Sequence, residues 1–285
     1  MLRVGWFATA RGTTSAKLLG AALKAIDGGL DARISFVFSN RDPGDFENTD
    51  RFFDTVRNAG IPLVTLSNTK FRRAAGGRLS RSGEALPDWR RDYDAAVARL
   101  IEPYPFDLGV LAGYMLIFTD VVCERWPLVN LHPALPGGPV GTWQEVIWQL
   151  IEAKAVESGV LWLLATTDLD RGPTITYCRY SLRGGAIDDL WTEHGRRPLA
   201  DLKAEGEANP LFQAIRGRGV AREVPLLVET LRAFATGRIR VLSLSKGRIE
   251  PGDDAPFRVV DSAGREIDGY DLTDAVEAAV AASGD

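Results

Sequence analysis

The stretch LRVGWFATARGTTSAKLLGAALKAI, residues 2–26, decides the fold of this chain. Its apolar start predicts a buried strand over residues 2–8, its small and polar middle predicts a turn, and the apolar spacing from Ala16 to Ile26 predicts a helix. Strands that alternate with helices favour an α/β protein with a mostly parallel sheet. The alternation continues with a strand, a helix and a strand at residues 32–39, 51–59 and 61–66.

Beyond residue 66 a basic, glycine-containing loop at residues 67–88 interrupts the pattern, which then resumes. Apolar spacing predicts further helices at residues 92–102, 141–155, 223–236 and 272–282 and one that runs through Cys123. Further strands are predicted at residues 108–112, at the segment around residues 129–132, and as a hairpin of residues 156–167 and 174–182. We interpret this as one main domain over residues 1–240, with insertions at about 67–88 and 183–219, and a C-terminal α/β extension over residues 241–285.

Composition limits the function classes. Of the 285 residues, 45% are hydrophobic and 25% are charged, as in ordinary folded soluble proteins. The net charge of −4 provides no overall basic field for a nucleic acid or an anionic membrane, so neither partner is expected. The short apolar start is no signal peptide and no apolar run reaches the length of a membrane span, which predicts a cytoplasmic protein.

The two cysteines, Cys123 and Cys178, lie in apolar surroundings without a Cys or His at metal-ligand spacing. This pattern favours buried free thiols over a zinc site or a disulfide. We therefore expect no metal.

A second segment, Val129-Asn130-Leu131-His132-Pro133-Ala134-Leu135-Pro136, carries the candidate chemistry. Side chains alternate along a strand, so Asn130 and His132 are predicted to project to the same side. About forty residues later Asp168-Leu169-Asp170-Arg171-Gly172-Pro173 provides carboxylates in a predicted tight turn. An amide can stabilise an oxyanion, an imidazole can carry a proton, and a carboxylate such as Asp170 can orient the imidazole, as attack of an amine on an acyl carbonyl requires.

Each of these residues also has a purely structural interpretation. A histidine before a proline at a strand end is more often a satisfied structural residue, and Asn130 is an ordinary turn residue. Aspartates before Gly and Pro commonly bond the local backbone, which applies to Asp168 and Asp170 alike. The functional hypothesis depends on their combination.

Three segments in this order resemble the folate-dependent formyltransferases, and among them the glycinamide ribonucleotide formyltransferases most. They are the strand over residues 108–112 with Gly113-Tyr114-Met115, the segment from Asn130 to Pro136, and Leu169-Asp170-Arg171-Gly172-Pro173. The resemblance covers roughly residues 2–182 and, weakly, 223–242. It implies a Rossmann-like formyltransferase fold, a central mostly parallel sheet with helices on both faces, and a place in one-carbon metabolism and purine biosynthesis.

The resemblance implies direct transfer of the formyl group of 10-formyltetrahydrofolate to a primary amine, without a covalent enzyme intermediate. By position, Asn130 would stabilise the oxyanion, His132 would polarise the carbonyl and move a proton, and Asp170 would orient His132 and water. The resemblance also implies, by position, which residues contact the two substrates. The donor would contact Met115, Leu116, Ile117 and Asp168, and the acceptor, including its phosphate, would contact Arg11, Gly12, Thr13, Thr14, Arg90 and Glu223.

Two of these assignments have structural alternatives: residues 115–117 could be plain core, and Arg90 could be a surface arginine at a helix start. The family also carries auxiliary histidines in the loop after its Asn-x-His-Pro motif and on a hairpin strand, where this chain has Gly137–Trp143 and Trp162. The acceptor therefore stays open, and a homodimer is compatible with the resemblance.

Three other functions compete with the transferase. A formyltetrahydrofolate deformylase would deliver the formyl group to water, although such enzymes carry an N-terminal regulatory domain that precedes the first strand. A methionyl-tRNA formyltransferase would be expected to have a basic tail, whereas residues 250–285 carry more acidic than basic groups. A catalytically silent folate- or nucleotide-binding module would not need Asn130, His132 and Asp170 together.

Overall fold

The computed structural model describes residues 1–79, 84–243 and 256–283. The chain divides into two compact units, each made of separate stretches. The first unit comprises Met1–Asn130, Leu164–Gly172 and Arg232–Glu266, and the second comprises Leu131–Leu163, Pro173–Leu231 and Ile267–Asp285. The two halves of the tail thus belong to different units. The boundary proposed at residue 240 from the sequence stays a prediction.

The first unit carries a parallel five-stranded arrangement with its connecting helices. Its strands are β1 (Leu2–Ala8), β2 (Ala32–Ser39), β3 (Leu63–Thr65), β4 (Leu108–Leu111) and β5 (Leu128–His132), in the order β5-β4-β1-β2-β3. β5 crosses the unit boundary after Asn130. The helices are α1 (Thr13–Asp27), α2 (Glu47–Asn58), α3 (Asn68–Ala74), α4 (Trp89–Ile101) and α5 (Asp120–Cys123). All four strand pairings are parallel, so the carboxyl ends of these strands lie at one edge.

An aromatic core fills this unit. Phe7 of β1 meets Phe36 of β2 edge to face, with ring centroids 5.5 Å apart, and Phe118 in the same manner at 5.6 Å. Such pairs contribute about 0.5–1.5 kcal/mol beyond the burial of their area. Most side chains of β1 and β2 are buried, which explains why both strands are mostly apolar in the sequence.

The second unit contains an antiparallel hairpin and a helical layer. Its helices are α6 (Trp143–Glu152), α7 (Ala186–His194), α8 (Leu199–Ala204), α9 (Pro210–Ala235, whose last residues belong to the first unit) and α10 (Thr273–Ser283). Strand β6 (Glu157–Leu164) pairs antiparallel with β7 (Thr174–Ser181). The tail adds β8 (Ile239–Ser243) and β9 (Phe257–Asp261), which pair in the first unit, and β10 (Tyr270–Asp271), which is parallel to β7.

The architecture confirms the predicted α/β class, a mixed sheet of mostly parallel strands with helices around it. Cys123 and Cys178 are buried free thiols, as predicted, and burial raises the pKa of each to about 12. Within the described residues no helix combines the length and the apolar character that a membrane crossing requires.

Two predictions of secondary structure were wrong. Residues 67–88 are not all loop, because helix α3 begins after Ser67, whose hydroxyl accepts the amide of Lys70. Residues 80–83 of that predicted loop lie outside the described residues. Helix α9 begins at Pro210 rather than at residue 223, with the side chain of Asn209 accepting the amide of Phe212 at 3.0 Å.

The early start of α9 has a physical reason. Pro225 lies in the helix interior, where a proline has no backbone N–H to donate to the preceding turn. The first half of the helix is stabilised by burial of Leu211, Phe212 and Ile215, so packing offsets the hydrogen bond that Pro225 cannot donate.

Candidate active site

The end of strand β5 meets the segment that leads from β6 towards β7. The amide N–H of Ala165 donates to the carbonyl of Leu128 at 2.8 Å, so this segment runs beside β5. Asn130 and Asp170 are thereby brought together: the Asn130 Nδ2 donates to the Asp170 Oδ1 at 3.4 Å, the long end of the hydrogen-bond range. Both side chains are half-buried. This pair joins residues forty positions apart in the sequence.

Backbone shape places Asp170. Its φ is +57°, in the left-handed backbone region that few residues other than glycine, asparagine and aspartate adopt. Two residues later, a Cβ built on Gly172 would stand 1.8 Å from the carbonyl oxygen of Leu164, so only glycine fits there. The turn is therefore determined by close backbone approach as well as by the aspartate.

His132, the last residue of β5, belongs to the second unit and is buried, with 4% of its surface exposed. Its Nε2 lies 2.8 Å from the carbonyl oxygen of Pro139. A carbonyl oxygen can only accept, so the Nε2 carries the hydrogen in this bond. The predicted orientation of His132 by Asp170 stays a prediction.

The loop after β1 and the first turn of α1 hold four of the predicted acceptor residues. The α2 side chains of Thr49 and Asn48 donate to the carbonyls of Ala10 and Arg11, at 3.2 Å each, which turns these carbonyls towards α2. Gly12 precedes helix α1 without a side-chain cap, and the first amides of a helix lack partners within the helix. Such a helix start can bind an anionic group. Its exposed residues are Arg11, Gly12, Thr13 and Thr14.

Arg11 and Arg41 face one aromatic ring. The guanidinium carbons of Arg11 and Arg41 lie 5.3 Å and 5.0 Å from the ring centroid of Phe46. Both cations are thus held beside the loop after β1 by cation–π attraction.

Three of the predicted donor residues, Met115, Leu116 and Ile117, lie on residues 113–119, a segment that follows β4 and that we call the donor segment. Its aromatic residues Tyr114 and Phe118 are buried and stack on each other, with centroids 4.7 Å apart. Between them Met115 is 76% exposed, while Leu116 and Ile117 are half-buried. The plain-core alternative thus fails for Met115, and its exposed side chain is available to a ligand.

The donor segment and the loop after β1 are bonded to each other. Thr9 donates its amide to the Gly113 carbonyl at 3.2 Å and accepts the Met115 amide on its Oγ1 at 2.9 Å. The Ser15 hydroxyl donates to the Ala112 carbonyl at 2.8 Å. Gly113 has a φ of +70°, and a Cβ there would stand 2.6 Å from the Ser15 Oγ. The N-terminal end of the donor segment is therefore hydrogen-bonded to the loop after β1 and to the start of α1.

Three other predicted binding residues are engaged with protein groups. Arg90 is buried on α4 and donates to the Ile117 carbonyl, so its alternative as a surface arginine is wrong. Glu223 is buried in α9 and accepts from Arg216 at 2.6 Å. Asp168 is exposed, with its Oδ1 3.7 Å from the Arg171 Nε. Their contact with substrates stays a prediction.

Sequence reasoning missed Thr9 and Asp94. Asp94 lies one helical turn after Arg90 on α4 and is fully buried, which raises the pKa of its carboxyl to about 6. The spacing of Arg90 and Asp94, with apolar Val97 and Ile101 on the same face, is the signal that could have identified a buried charged pair. No local pattern identifies Thr9, because its partner lies 106 residues away.

The sequence matches the formyl transferase family over residues 3–181. It is 27% identical over 179 residues to the phosphoribosylglycinamide formyltransferase of Escherichia coli K12, a stretch that covers 60% of this chain and 73% of that protein. Among solved structures, the phosphoribosylglycinamide formyltransferase of Coxiella burnetii is 22% identical with a TM-score of 0.61, and the match covers 95% of this chain and 98% of that one.

The same fold occurs in two further relatives. Glycinamide ribonucleotide transformylase 1 of Symbiobacterium toebii is 22% identical with a TM-score of 0.56, and the match covers 89% of this chain and 92% of that one. The formyltetrahydrofolate deformylase of Burkholderia mallei is 19% identical with a TM-score of 0.55, and the match covers 84% of this chain and 66% of that one. These structures share the fold, and the sequence match spans more than half of the chain, so the chain belongs to the formyl transferase family.

Proposed function

We propose that the protein transfers the formyl group of 10-formyltetrahydrofolate to the primary amine of a small phosphorylated acceptor similar to glycinamide ribonucleotide. The observation that carries the proposal is the bond between Asn130 and Asp170 at the end of β5, in a chain of the formyl transferase family. The name of the E. coli relative supports the acceptor.

The three candidate catalytic residues divide the reaction between them. The acceptor nitrogen attacks the formyl carbon and forms a tetrahedral intermediate, whose oxyanion the Asn130 amide stabilises. His132 polarises the carbonyl and moves the proton that the amine loses to the departing N10 of tetrahydrofolate. Asp170 orients His132 and an ordered water. No covalent bond to the protein forms.

This role sets a condition on His132. Its Nε2 donates to the Pro139 carbonyl in the structure, so the hydrogen bond to Pro139 must break before the Nε2 hydrogen can reach the substrate. Hydrogen bonds in unliganded sites commonly rearrange in this way when the substrate binds.

The binding residues follow from the two loops. In the proposal Met115, Leu116 and Ile117 contact the pterin of the donor, with Asp168 at the turn. The helix start after β1, with Arg11, Gly12, Thr13 and Thr14, binds the acceptor phosphate. Arg90 and Glu223 reach a substrate only if they release their present partners, Ile117 and Arg216.

The test measures tetrahydrofolate release from 10-formyltetrahydrofolate by the purified protein, with and without glycinamide ribonucleotide. Release only with the amine supports the transferase. Release without the amine supports the deformylase reaction instead. If no tetrahydrofolate is released in either case while the donor still binds, neither glycinamide ribonucleotide nor water is the acceptor. Asp170→Asn serves as the matched control, because it keeps the side-chain size and removes the charge.

A further inference from the structure

Two buried charged side chains of helix α4, Arg90 and Asp94, form hydrogen bonds with the main chain of the donor segment. Asp94 is 0% exposed, and its Oδ2 accepts the amide of Thr119 at 2.6 Å. Arg90 is 2% exposed and donates from its Nη2 to the carbonyl of Ile117. The two side chains approach each other to 4.0 Å. The C-terminal end of the donor segment is therefore anchored by a buried ion pair.

The N-terminal end of the segment has its own anchor. Thr9 bonds both Gly113 and Met115, so the segment is tied at residues 113, 115, 117 and 119. The exposed Met115 and the half-buried Leu116 and Ile117 lie within these ties. The positions of Met115, Leu116 and Ile117 are thus determined by side chains that are themselves buried.

The charge of Asp94 is unfavourable for folding, which argues for a role besides structure. Burial raises its pKa to about 6, while the amide and hydroxyl of Thr119 and the charge of Arg90 lower it. The charge of Asp120 raises it further, and Tyr93, Tyr114 and Cys123 are the other titratable groups around the carboxyl. An asparagine could accept the same amide without the burial penalty, but a carboxylate makes the shorter and stronger bond.

We propose that Asp94, paired with Arg90, is a positioning residue for the folate donor: it sets the donor segment so that Met115, Leu116 and Ile117 meet the pterin. Asp94 touches no substrate, and its effect passes through the Thr119 amide. The inference rests on the proposed function, whose donor site it deepens. It predicts that loss of Asp94 weakens binding of the donor more than binding of the acceptor, because the loop after β1 keeps its own bonds to Thr49 and Asn48.

The test compares the wild type with Asp94→Asn, Asp94→Ala and the control Ser35→Ala. The Ser35 hydroxyl donates to the Pro105 carbonyl at 2.9 Å, so its loss removes one side-chain bond to a loop that no part of the proposed site uses. Steady-state kinetics with the stable donor 10-formyl-5,8-dideazafolate and glycinamide ribonucleotide give KM for each substrate and kcat. We expect the donor KM to rise about tenfold in Asp94→Ala and a few-fold in Asp94→Asn. The acceptor KM and kcat should stay within about twofold, and Ser35→Ala should match the wild type.

Several outcomes would overturn the inference. A donor KM within twofold of the wild type in both Asp94 variants rejects it, as does an equal change in both KM values, which indicates general loosening. If Asp94→Ala does not fold, Asp94→Asn decides. Calorimetric titration of the donor analogue into wild type and Asp94→Asn between pH 5.5 and 7.5 should show affinities that converge at low pH, where Asp94 is protonated. Parallel curves reject the inference, and this binding test stands even if glycinamide ribonucleotide is not the acceptor.

Discussion

The turn that carries Asp170 and the donor segment are both held in the first unit, but by different means. Backbone geometry determines the Asp170 turn, through the left-handed φ of Asp170 and the close approach of Gly172 to Leu164. Side chains hold the donor segment, through Thr9, Arg90 and Asp94. The position of Asp170 therefore depends on the conformation of the backbone. The position of the donor segment depends on buried polar side chains, so substitution of one such side chain is expected to change it.

The largest effect is expected at the catalytic group. His132→Ala or Asp170→Asn should each lower kcat/KM for formyl transfer by about 10³-fold or more, because proton transfer or its orientation is lost. Circular dichroism and thermal unfolding should stay near those of the wild type for Asp170→Asn. Turnover within tenfold of the wild type in either variant would contradict the assigned mechanism.

The pH dependence of stability should report on the donor segment. Because the folded-state pKa of Asp94 is raised from 3.8 to about 6, the folded chain holds this proton more tightly than the unfolded chain. Its contribution to stability is therefore complete below about pH 4 and is lost as the pH rises through 6. The loss is about 3 kcal/mol, at 1.36 kcal/mol for each pKa unit.

Urea unfolding of wild type and Asp94→Asn at several pH values measures this contribution. The variant should gain stability relative to the wild type between pH 4 and 7. A difference that does not change with pH would show that Asp94 titrates normally.

The third effect breaks the Asp170 turn through its backbone. Gly172→Ala should lower the free energy of unfolding by about 1–3 kcal/mol, because the added Cβ collides with the Leu164 carbonyl. Gly20→Ala is the matched control, since a Cβ on this α1 glycine meets no atom within 4 Å and should raise stability by up to about 1 kcal/mol. Equal unfolding midpoints for Gly172→Ala and the wild type would show that the turn is not constrained in this way.

The smallest effect is expected at the N-terminal tie of the donor segment. Thr9→Val keeps the side-chain shape but removes the acceptor of the Met115 amide, at a cost of about 1 kcal/mol. Calorimetric titration of the donor analogue should show a few-fold weaker binding. Unchanged binding would mean that Asp94 and Arg90 hold the segment without Thr9.

The same contrast explains how far the sequence could be interpreted. The sequence predicts the bounds of strands β1 and β2 correctly, because strands buried on both faces are rich in apolar residues along most of their length. Helix α3 was missed because residues 67–78 are basic and its start depends on a serine cap, and the first half of α9 was missed because residues 210–219 were assigned to a polar insertion. In α9 the missed half is stabilised by burial of Leu211, Phe212 and Ile215, which the local sequence does not record.

Asn130, His132 and Asp170 could be identified as candidates from the sequence, because strand alternation and turn formation depend on residues that are neighbours in the chain. The contact of Asn130 with Asp170 was not predicted from the sequence, and the pairing of Ala165 with Leu128 places these two residues side by side. Asp94 and Thr9 bond partners 25 and 106 residues away, and no local period records such a contact. The sequence by itself thus determined the α/β alternation and the candidate groups, while only the tertiary structure decided which buried side chains support them, because long-range hydrogen bonds depend on how distant segments pack.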